Sequence, residues 1–228
     1  ELSTGEPGLG RRVLLIGDSL TRESRVDTAK RLRASGWTPT FRCWGSRRLD
    51  WGIAQVRRAK ELGQLPGVVV MALGTNDASW EPLATTQARV RTLMRILGPK
   101  RQVLWVDLDV DYSAYSASRA LWINAMIRRE AASRENLTVV PWRRIARAER
   151  AGRYDGIHYG PSGYRLRAAV SRRQSAASPC GPEAFARTTV TVHGASATTR
   201  ALTLPRMRRT PVTPRAPITR WSTPLSRA

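Results

Sequence analysis

The feature that most constrains the fold is a regular alternation of short apolar runs with amphipathic segments over residues 11–171. Each run is apolar on both faces, as expected of a strand that helices cover on both sides. The predicted strands are Val13–Ile16, Thr40–Trp44, Val68–Leu73, Val103–Val106 and Leu137–Val140. The pattern therefore predicts a parallel sheet at the centre of an α/β domain.

The segments between the runs have helical spacing. Val90, Leu93, Met94 and Leu97 recur at i, i+3, i+4 and i+7, and a Gly-Pro pair ends this stripe. Further helices are predicted over Arg25–Ala34, around Ile53 and Val56, from Leu121 through Ala125 and Met126, and over Tyr164–Val170. Alternating strands and helices predict right-handed crossovers with helices on both faces of the sheet.

The sequence divides into three parts, namely a lead-in at residues 1–10, a domain at 11–171 and a tail at 172–228. Arg, Ser, Thr, Pro and Ala dominate the tail, Glu183 is its single acid, and its prolines prevent any long helix. This composition predicts disorder. Two interpretations of the tail stay open: a basic tether to an anionic polymer, or a non-native extension from a shifted reading frame.

The net charge of +22 makes anionic partners worth considering. No Lys/Arg stripe with interleaved aromatic residues stands out, so we do not expect a nucleic-acid partner. No run approaches the roughly 20 apolar residues of a membrane span, so we expect no transmembrane segment in this chain. We expect a monomer.

Small polar residues follow the first three predicted strands. The first strand ends on Gly17-Asp18-Ser19, the second is followed by Gly45, and the third ends on a Gly-Thr-Asn-Asp run that contains Asn76. Because the carboxyl ends of parallel strands meet at one edge, a hydroxyl, a flexible backbone N–H and an amide come together there. Acyl transfer needs such a nucleophile and such oxyanion donors.

A structural interpretation of these acidic and hydroxyl residues is also open. Asp18 and Ser19 could simply cap a helix. Asp77 is expected to brace a loop or cap a helix rather than to take part in chemistry.

A serine nucleophile needs a base, and the chain has two histidines. His193 lies in the tail, whereas His158 lies in the Gly-rich run YDGIHYGPSGY with Asp155 three residues before it. Asp155 could hold the imidazole, and the alternatives are a solvated loop or a metal site. No third carboxylate, Cys or His lies nearby in the sequence, so we expect no metal.

Four blocks in this order, GDSL at 17–20, Gly45, GTND at 74–77 and DGIH at 155–158, resemble the SGNH hydrolases, also called GDSL esterases. The resemblance covers residues 11–171 and implies a flavodoxin-like three-layer α/β/α sandwich with a five-stranded parallel sheet. It implies Ser19 as nucleophile, His158 as base and Asp155 as its orienting carboxylate, without a cofactor. The implied oxyanion hole comprises the backbone N–H groups of Ser19 and Gly45 and the side-chain amide of Asn76.

A finer resemblance is to bacterial extracytoplasmic SGNH domains, which occur alone or behind membrane acyltransferase-3 domains. The LLIGDSL opening and the DGIHYGPSGYRLRA run carry it. It implies a serine esterase that hydrolyses or transfers a short acyl ester, such as O-acetyl on an envelope carbohydrate, through an acyl-serine. The substrate would be an acylated small molecule or glycan. The implied location is extracytoplasmic, with the cytoplasm as the alternative.

A second function remains open, a non-catalytic docking module whose basic tail binds an anionic polymer. Aromatic residues in the predicted cleft walls at 44–51, 78–83 and 109–117 suit either sugar stacking or simple packing. They are Trp44, Trp51, Trp80, Tyr112 and Tyr115.

The two cysteines, Cys43 and Cys180, allow one disulfide or two unrelated thiols, and we predict that they lie within bridging distance.

Overall fold

The computed structural model describes residues 11–176, which form a five-stranded parallel sheet with helices on both faces. The elements in chain order are β1 (Arg12–Gly17), α1 (Ser19–Arg33), β2 (Thr38–Cys43), α2 (Leu49–Glu61), β3 (Val68–Ala72), α3 (Thr75–Trp80), α4 (Leu83–Leu97), β4 (Gln102–Val106), α5 (Ala114–Ala132), β5 (Leu137–Val140), α6 (Trp142–Ala148) and α7 (Pro161–Ala176). The strand order β2-β1-β3-β4-β5 is that of flavodoxin-like folds. The predicted fold class is confirmed.

Alternate residues of each central strand enter two separate hydrophobic cores, which gives the three layers. Leu14 and Ile16 of β1 pack in a core with the buried sides of α2, α4 and α5. Val13 and Leu15, which alternate with them, pack in the other core with residues of α1, α6 and α7. This arrangement explains why the strands are apolar on both faces.

Helix α1 begins at Ser19, six residues before the predicted start at Arg25. The early start has a local cause, because the Asp18 carboxylate accepts a hydrogen bond from the Leu20 backbone N–H at 3.1 Å and so caps the helix. The apolar face predicted for α5 is also wrong at one position, because Leu121 was expected on the buried side and is 45% exposed. Ala120, Ile123 and Ile127 carry the buried face instead.

The short helices α3 and α6 were not predicted, because six or seven residues are too few to show a periodic apolar stripe. Helix α7 continues through Ala176, past the predicted end of the domain at 171. The remaining tail, with Cys180 and His193, lies outside the described residues, so the predictions of disorder and of a disulfide fall outside them too. Within the described part of the chain, no helix is long and apolar enough to cross a membrane.

Candidate active site

The sheet register brings the ends of β1, β2 and β3 level with one another. Gly17 at the end of β1 is paired with Cys43 of β2 and with Ala72 of β3. The backbone N–H of Trp44 donates to the Gly17 carbonyl at 3.3 Å, which ties the loop after β2 to the end of β1. Ser19, Gly45 and Asn76 therefore leave the sheet at the same edge, as the sequence predicts.

The turn from β1 into α1 presents Ser19 as the first residue of the helix. A side chain at position 17 would collide with the side chain of Thr21, so only glycine lets the helix start this close to the strand. The cap, Asp18, is fully buried, and burial raises its pKa. The first N–H groups of a helix have no partner within it, so those near Ser19 can face a developing negative charge.

Asp155 and His158 lie on a small hairpin, residues 152–160. Its stem is an antiparallel bridge between Arg153 and Tyr159, and the Tyr154 N–H donates to the His158 carbonyl at 3.1 Å. At the tip, one oxygen of Asp155 accepts hydrogen bonds from the N–H groups of Ile157 and His158, at 2.9 and 2.7 Å. This turn fixes the aspartate beside the histidine ring.

A continuous hydrogen-bonded chain joins the serine, the histidine and the aspartate. The Ser19 Oγ lies 2.9 Å from His158 Nε2, and His158 Nδ1 lies 2.7 Å from Asp155 Oδ2. Partial burial of Asp155 opposes its ionisation, but the hydrogen bonds from the His158 backbone, the His158 ring and the Ile157 backbone prevail and lower its pKa to about 2. Asp155 is therefore ionised at neutral pH and can stabilise a positive charge on the imidazole.

The loop between β2 and α2, which carries Gly45, is held by two neighbouring residues of α3. The Asn76 side-chain amide donates one of its two N–H groups to the Arg47 carbonyl at 3.0 Å. Both oxygens of the Asp77 carboxylate lie 3.2 Å from the Leu49 backbone N–H at the start of α2. Asp77 thus contacts the first residue of α2, which agrees with the bracing or capping role expected from the sequence, and burial raises its pKa to about 6.

Large aromatic side chains are exposed around this edge of the sheet. Trp44 follows β2, Trp80 ends α3, and Tyr112 and Tyr115 follow β4. Trp51, by contrast, packs against the core. Tyr154, a residue not predicted from the sequence, is exposed on the hairpin, and its ring stacks on His158 at a centroid distance of 5.9 Å.

Asp109 was predicted only as part of the cleft wall at 109–117. In the structure it is nearly fully buried and contacts both sides of the hairpin stem. The sequence signal that could have found it is the alternation Asp-Leu-Asp-Val-Asp directly after β4, in which Leu108 and Val110 are the apolar partners. Such alternation predicts an extended segment with one apolar and one charged side.

A flavodoxin-like fold that brings a serine and a histidine into contact at its carboxyl edge has an arrangement that is typical of ester-hydrolysing enzymes. The chain belongs to the GDSL-like lipase/acylhydrolase family, whose sequence model matches residues 10–166. It is accordingly an enzyme of the ester-hydrolysing and acyl-transferring type. No curated protein matches the sequence of this chain.

Solved structures with the same fold include enzymes that act on acetyl esters. The C-terminal catalytic domain of peptidoglycan O-acetyltransferase A from Streptococcus pneumoniae is 19% identical with a TM-score of 0.62, over 74% of this chain and 96% of that one. An acetylxylan esterase from Geobacillus stearothermophilus is 14% identical with a TM-score of 0.59, over 74% and 95% of the two chains. A GDSL-family lipolytic protein from Veillonella parvula is 17% identical with a TM-score of 0.62, over 72% and 97%. At these identities the likeness concerns the fold.

Proposed function

We propose that this protein is a serine esterase of the SGNH type that removes or transfers a short acyl group, such as acetyl, carried by a carbohydrate of the bacterial envelope. The observation that carries the proposal is the hydrogen-bonded chain from Ser19 through His158 to Asp155. A location outside the cytoplasm follows from this substrate and is part of the proposal.

In the proposed first step, the Ser19 Oγ attacks the ester carbonyl carbon while His158 Nε2 takes the hydroxyl proton. The Asp155 carboxylate, ionised because of its lowered pKa, holds the ring through Nδ1 and stabilises the imidazolium. When the tetrahedral intermediate collapses, the carbon–oxygen bond to the alcohol breaks and His158 returns the proton to that alcohol. An acyl-serine remains.

The negative oxygen of the tetrahedral intermediate requires donors placed in advance. We assign this role to the backbone N–H groups of Ser19 and Gly45 and to the Asn76 amide. The Asn76 bond to the Arg47 carbonyl uses one N–H and orients the amide, so the second N–H is available for the oxyanion. The acyl group then passes to water in hydrolysis or to a second alcohol in transfer.

Exposed aromatic residues support a carbohydrate as the part of the substrate that carries the ester. Trp44, Trp80, Tyr112 and Tyr154 are exposed and lie in segments that follow the carboxyl ends of different strands or form the hairpin. Aromatic faces pack against the C–H faces of sugar rings, and exposed aromatic residues at a binding edge are typical of such sites. The acetyl-ester enzymes among the similar folds agree with this substrate class.

The test compares hydrolysis of p-nitrophenyl acetate by the wild-type chain, Ser19→Ala and Ser35→Ala. Ser35 lies just beyond the other end of α1, so its replacement is a matched serine control. We expect Ser19→Ala to lose at least about 10³-fold in rate and Ser35→Ala to retain wild-type turnover. Equal rates for the wild-type chain and Ser19→Ala, including no turnover by either, would contradict the proposal and favour the docking module.

Substrate class needs a second measurement. Acetate release should be followed from acetylated glycan fragments of bacterial wall and from an acetylated sugar, with and without added acceptor alcohol. Acetylated acceptor that forms when the acceptor alcohol is present, together with less free acetate, indicates transfer, whereas unchanged acetate release indicates hydrolysis. Hydrolysis of small lipid esters in preference to all acetylated glycans would refute the carbohydrate assignment.

A further inference from the structure

The hairpin that carries Asp155 and His158 is attached to the segment directly after β4. The Asp111 backbone N–H donates to the Gly156 carbonyl at 2.8 Å. Gly156 has a φ of +79°, and a Cβ atom there would lie 2.7 Å from the Asp111 carbonyl. The tip of the hairpin therefore rests on the backbone of this segment.

The stem of the hairpin is attached to the same segment through one side chain, that of Asp109. One carboxylate oxygen of Asp109 accepts a hydrogen bond from the Tyr159 hydroxyl at 3.0 Å and another from the Arg153 guanidinium. Arg153 and Tyr159 are the two residues that pair across the stem. A single carboxylate thus holds both strands of the hairpin, on either side of Asp155 and His158.

The Asp109 carboxylate is itself held firmly. It is 3% exposed, and its other oxygen accepts hydrogen bonds from Arg143 and Arg147 of α6, at 3.0 and 2.9 Å. These charge-assisted bonds compensate for burial of the carboxylate.

Tyr159 is equally constrained. Its hydroxyl accepts a hydrogen bond from the Trp142 indole at 3.0 Å, and its ring packs edge-on against Trp142. Burial, with the nearby Asp109 charge, raises its pKa to about 12, so the hydroxyl keeps its proton and donates it to Asp109.

We propose that Asp109 is a positioning residue that fixes the Asp155–His158 pair in its orientation toward Ser19 by holding the two stem residues Arg153 and Tyr159. The proposal rests on the function proposed above for Ser19, His158 and Asp155. Asp109 acts through the hairpin and not on the substrate. Displacements of about 1 Å in a catalytic group can cost about 10²-fold in rate, which is the scale of effect expected from loosening this stem.

The main variant is Asp109→Asn, which keeps the shape of the side chain and removes its charge. Its matched control is Asp111→Asn, because Asp111 pairs with two of the same arginines, Arg147 and Arg153, but is exposed and does not contact Tyr159. With p-nitrophenyl acetate, and with rates referred to the folded fraction measured by circular dichroism, we expect Asp109→Asn to lower kcat about 10- to 100-fold with KM within about threefold. Asp111→Asn should stay within about twofold of wild type in both.

A second variant, Tyr159→Phe, removes the hydroxyl with its bonds to Asp109 and to the Trp142 indole, and leaves the ring and the arginine contacts of Asp109 in place. It keeps the proposal testable if Asp109→Asn does not fold, and we expect a smaller fall in kcat in the same direction.

A spectroscopic measurement accompanies both variants. The chain has two histidines, so a His193→Ala background leaves His158 as the source of any far-downfield imidazole N–H proton signal, which reports its bond to Asp155.

Because the turn holds the Asp155–His158 bond locally, the signal reports how fast its proton exchanges with water when the hairpin stem loosens. We expect the signal to persist in Asp111→Asn and to broaden or vanish in Asp109→Asn and Tyr159→Phe. Retention of both the signal and kcat in folded Asp109→Asn, or equal losses in Asp109→Asn and Asp111→Asn, would overturn the positioning role. If wild type and Ser19→Ala hydrolyse the ester equally, the proposed function fails. The proton signals of the variants still decide the role of Asp109 in that case, since they require no turnover.

Discussion

Asp77, which contacts the first residue of α2, offers a direct test of how much the burial of its charge destabilises the folded protein. Its side chain is fully buried, its two oxygens face the Leu49 N–H, and Arg89 lies 3.6 Å away. Burial is the main cause of a pKa raised from 3.8 to about 6, and the Leu49 hydrogen bond and Arg89 only partly offset it. The ionised Asp77 carboxylate therefore destabilises the folded state. Asp77→Asn removes this penalty, and the Asn side-chain oxygen can still accept the hydrogen bond from the Leu49 N–H.

The sign and size of the effect follow from proton linkage. Because the pKa is higher in the folded than in the unfolded chain, the folded state binds more protons between about pH 4 and pH 6, and the free energy of unfolding falls as pH rises through this range. A shift of about two units corresponds to about 3 kcal/mol at 1.36 kcal/mol per unit. The stabilisation of the protonated form is complete below pH 3.8 and is lost above about pH 6.

The assay is urea unfolding followed by tryptophan fluorescence at intervals from about pH 4 to pH 7, for wild type and Asp77→Asn. We expect the stability of Asp77→Asn relative to wild type to rise by up to about 3 kcal/mol over this range. Asp50→Asn is the control, since Asp50 also pairs with Arg89 but is exposed, and such surface pairs contribute about 0–1 kcal/mol. Parallel curves for wild type and Asp77→Asn would refute the reasoning.

Three further predictions concern the site and its surroundings. Asn76→Ala should lower kcat on p-nitrophenyl acetate by about 10²–10³-fold with an unchanged fold, and a loss below tenfold would remove Asn76 from the oxyanion hole. Gly17→Ala should destabilise the protein by about 1–3 kcal/mol in urea unfolding, because the added methyl group overlaps Thr21, and trimming Thr21 to Ala in the same chain should recover part of the loss. Thiol titration of the unreduced protein should find no free thiol if Cys43 and Cys180 are bridged, and two free thiols would disprove the bridge.

The sheet could be predicted from the sequence because its signal is local. Runs such as Val13–Ile16 and Val103–Val106 are apolar on both faces, and only strands covered on both sides need that composition. The start of α1 could not be predicted in the same way. Residues 19–24 form no apolar stripe, and the helix there depends on the Asp18 cap and on packing against α7.

The candidate site also contains contacts that the local sequence predicts and contacts that depend on the folded chain. Asp155 and His158 are three residues apart, so their proximity can be inferred from a short motif. The contacts of Asp109 cannot, because its partners Arg143 and Tyr159 lie 34 and 50 residues away and are brought to it only by the folded chain. The sequence marks such a residue by its alternation with Leu108 and Val110 but does not identify its partners.

The two hydrogen bonds of the Ser19–His158–Asp155 chain differ greatly in what they require of the polypeptide. The His158–Asp155 bond spans three residues within one turn, whereas the Ser19–His158 bond spans 139 residues and forms only when the hairpin is docked at the end of β1. With Ser19 as the proposed nucleophile, its reactivity toward a sulfonyl fluoride would therefore measure the fraction of molecules in which the first and last parts of the domain have come together. During refolding, the rate at which this reactivity returns would time the final assembly of the domain, separately from the formation of its helices.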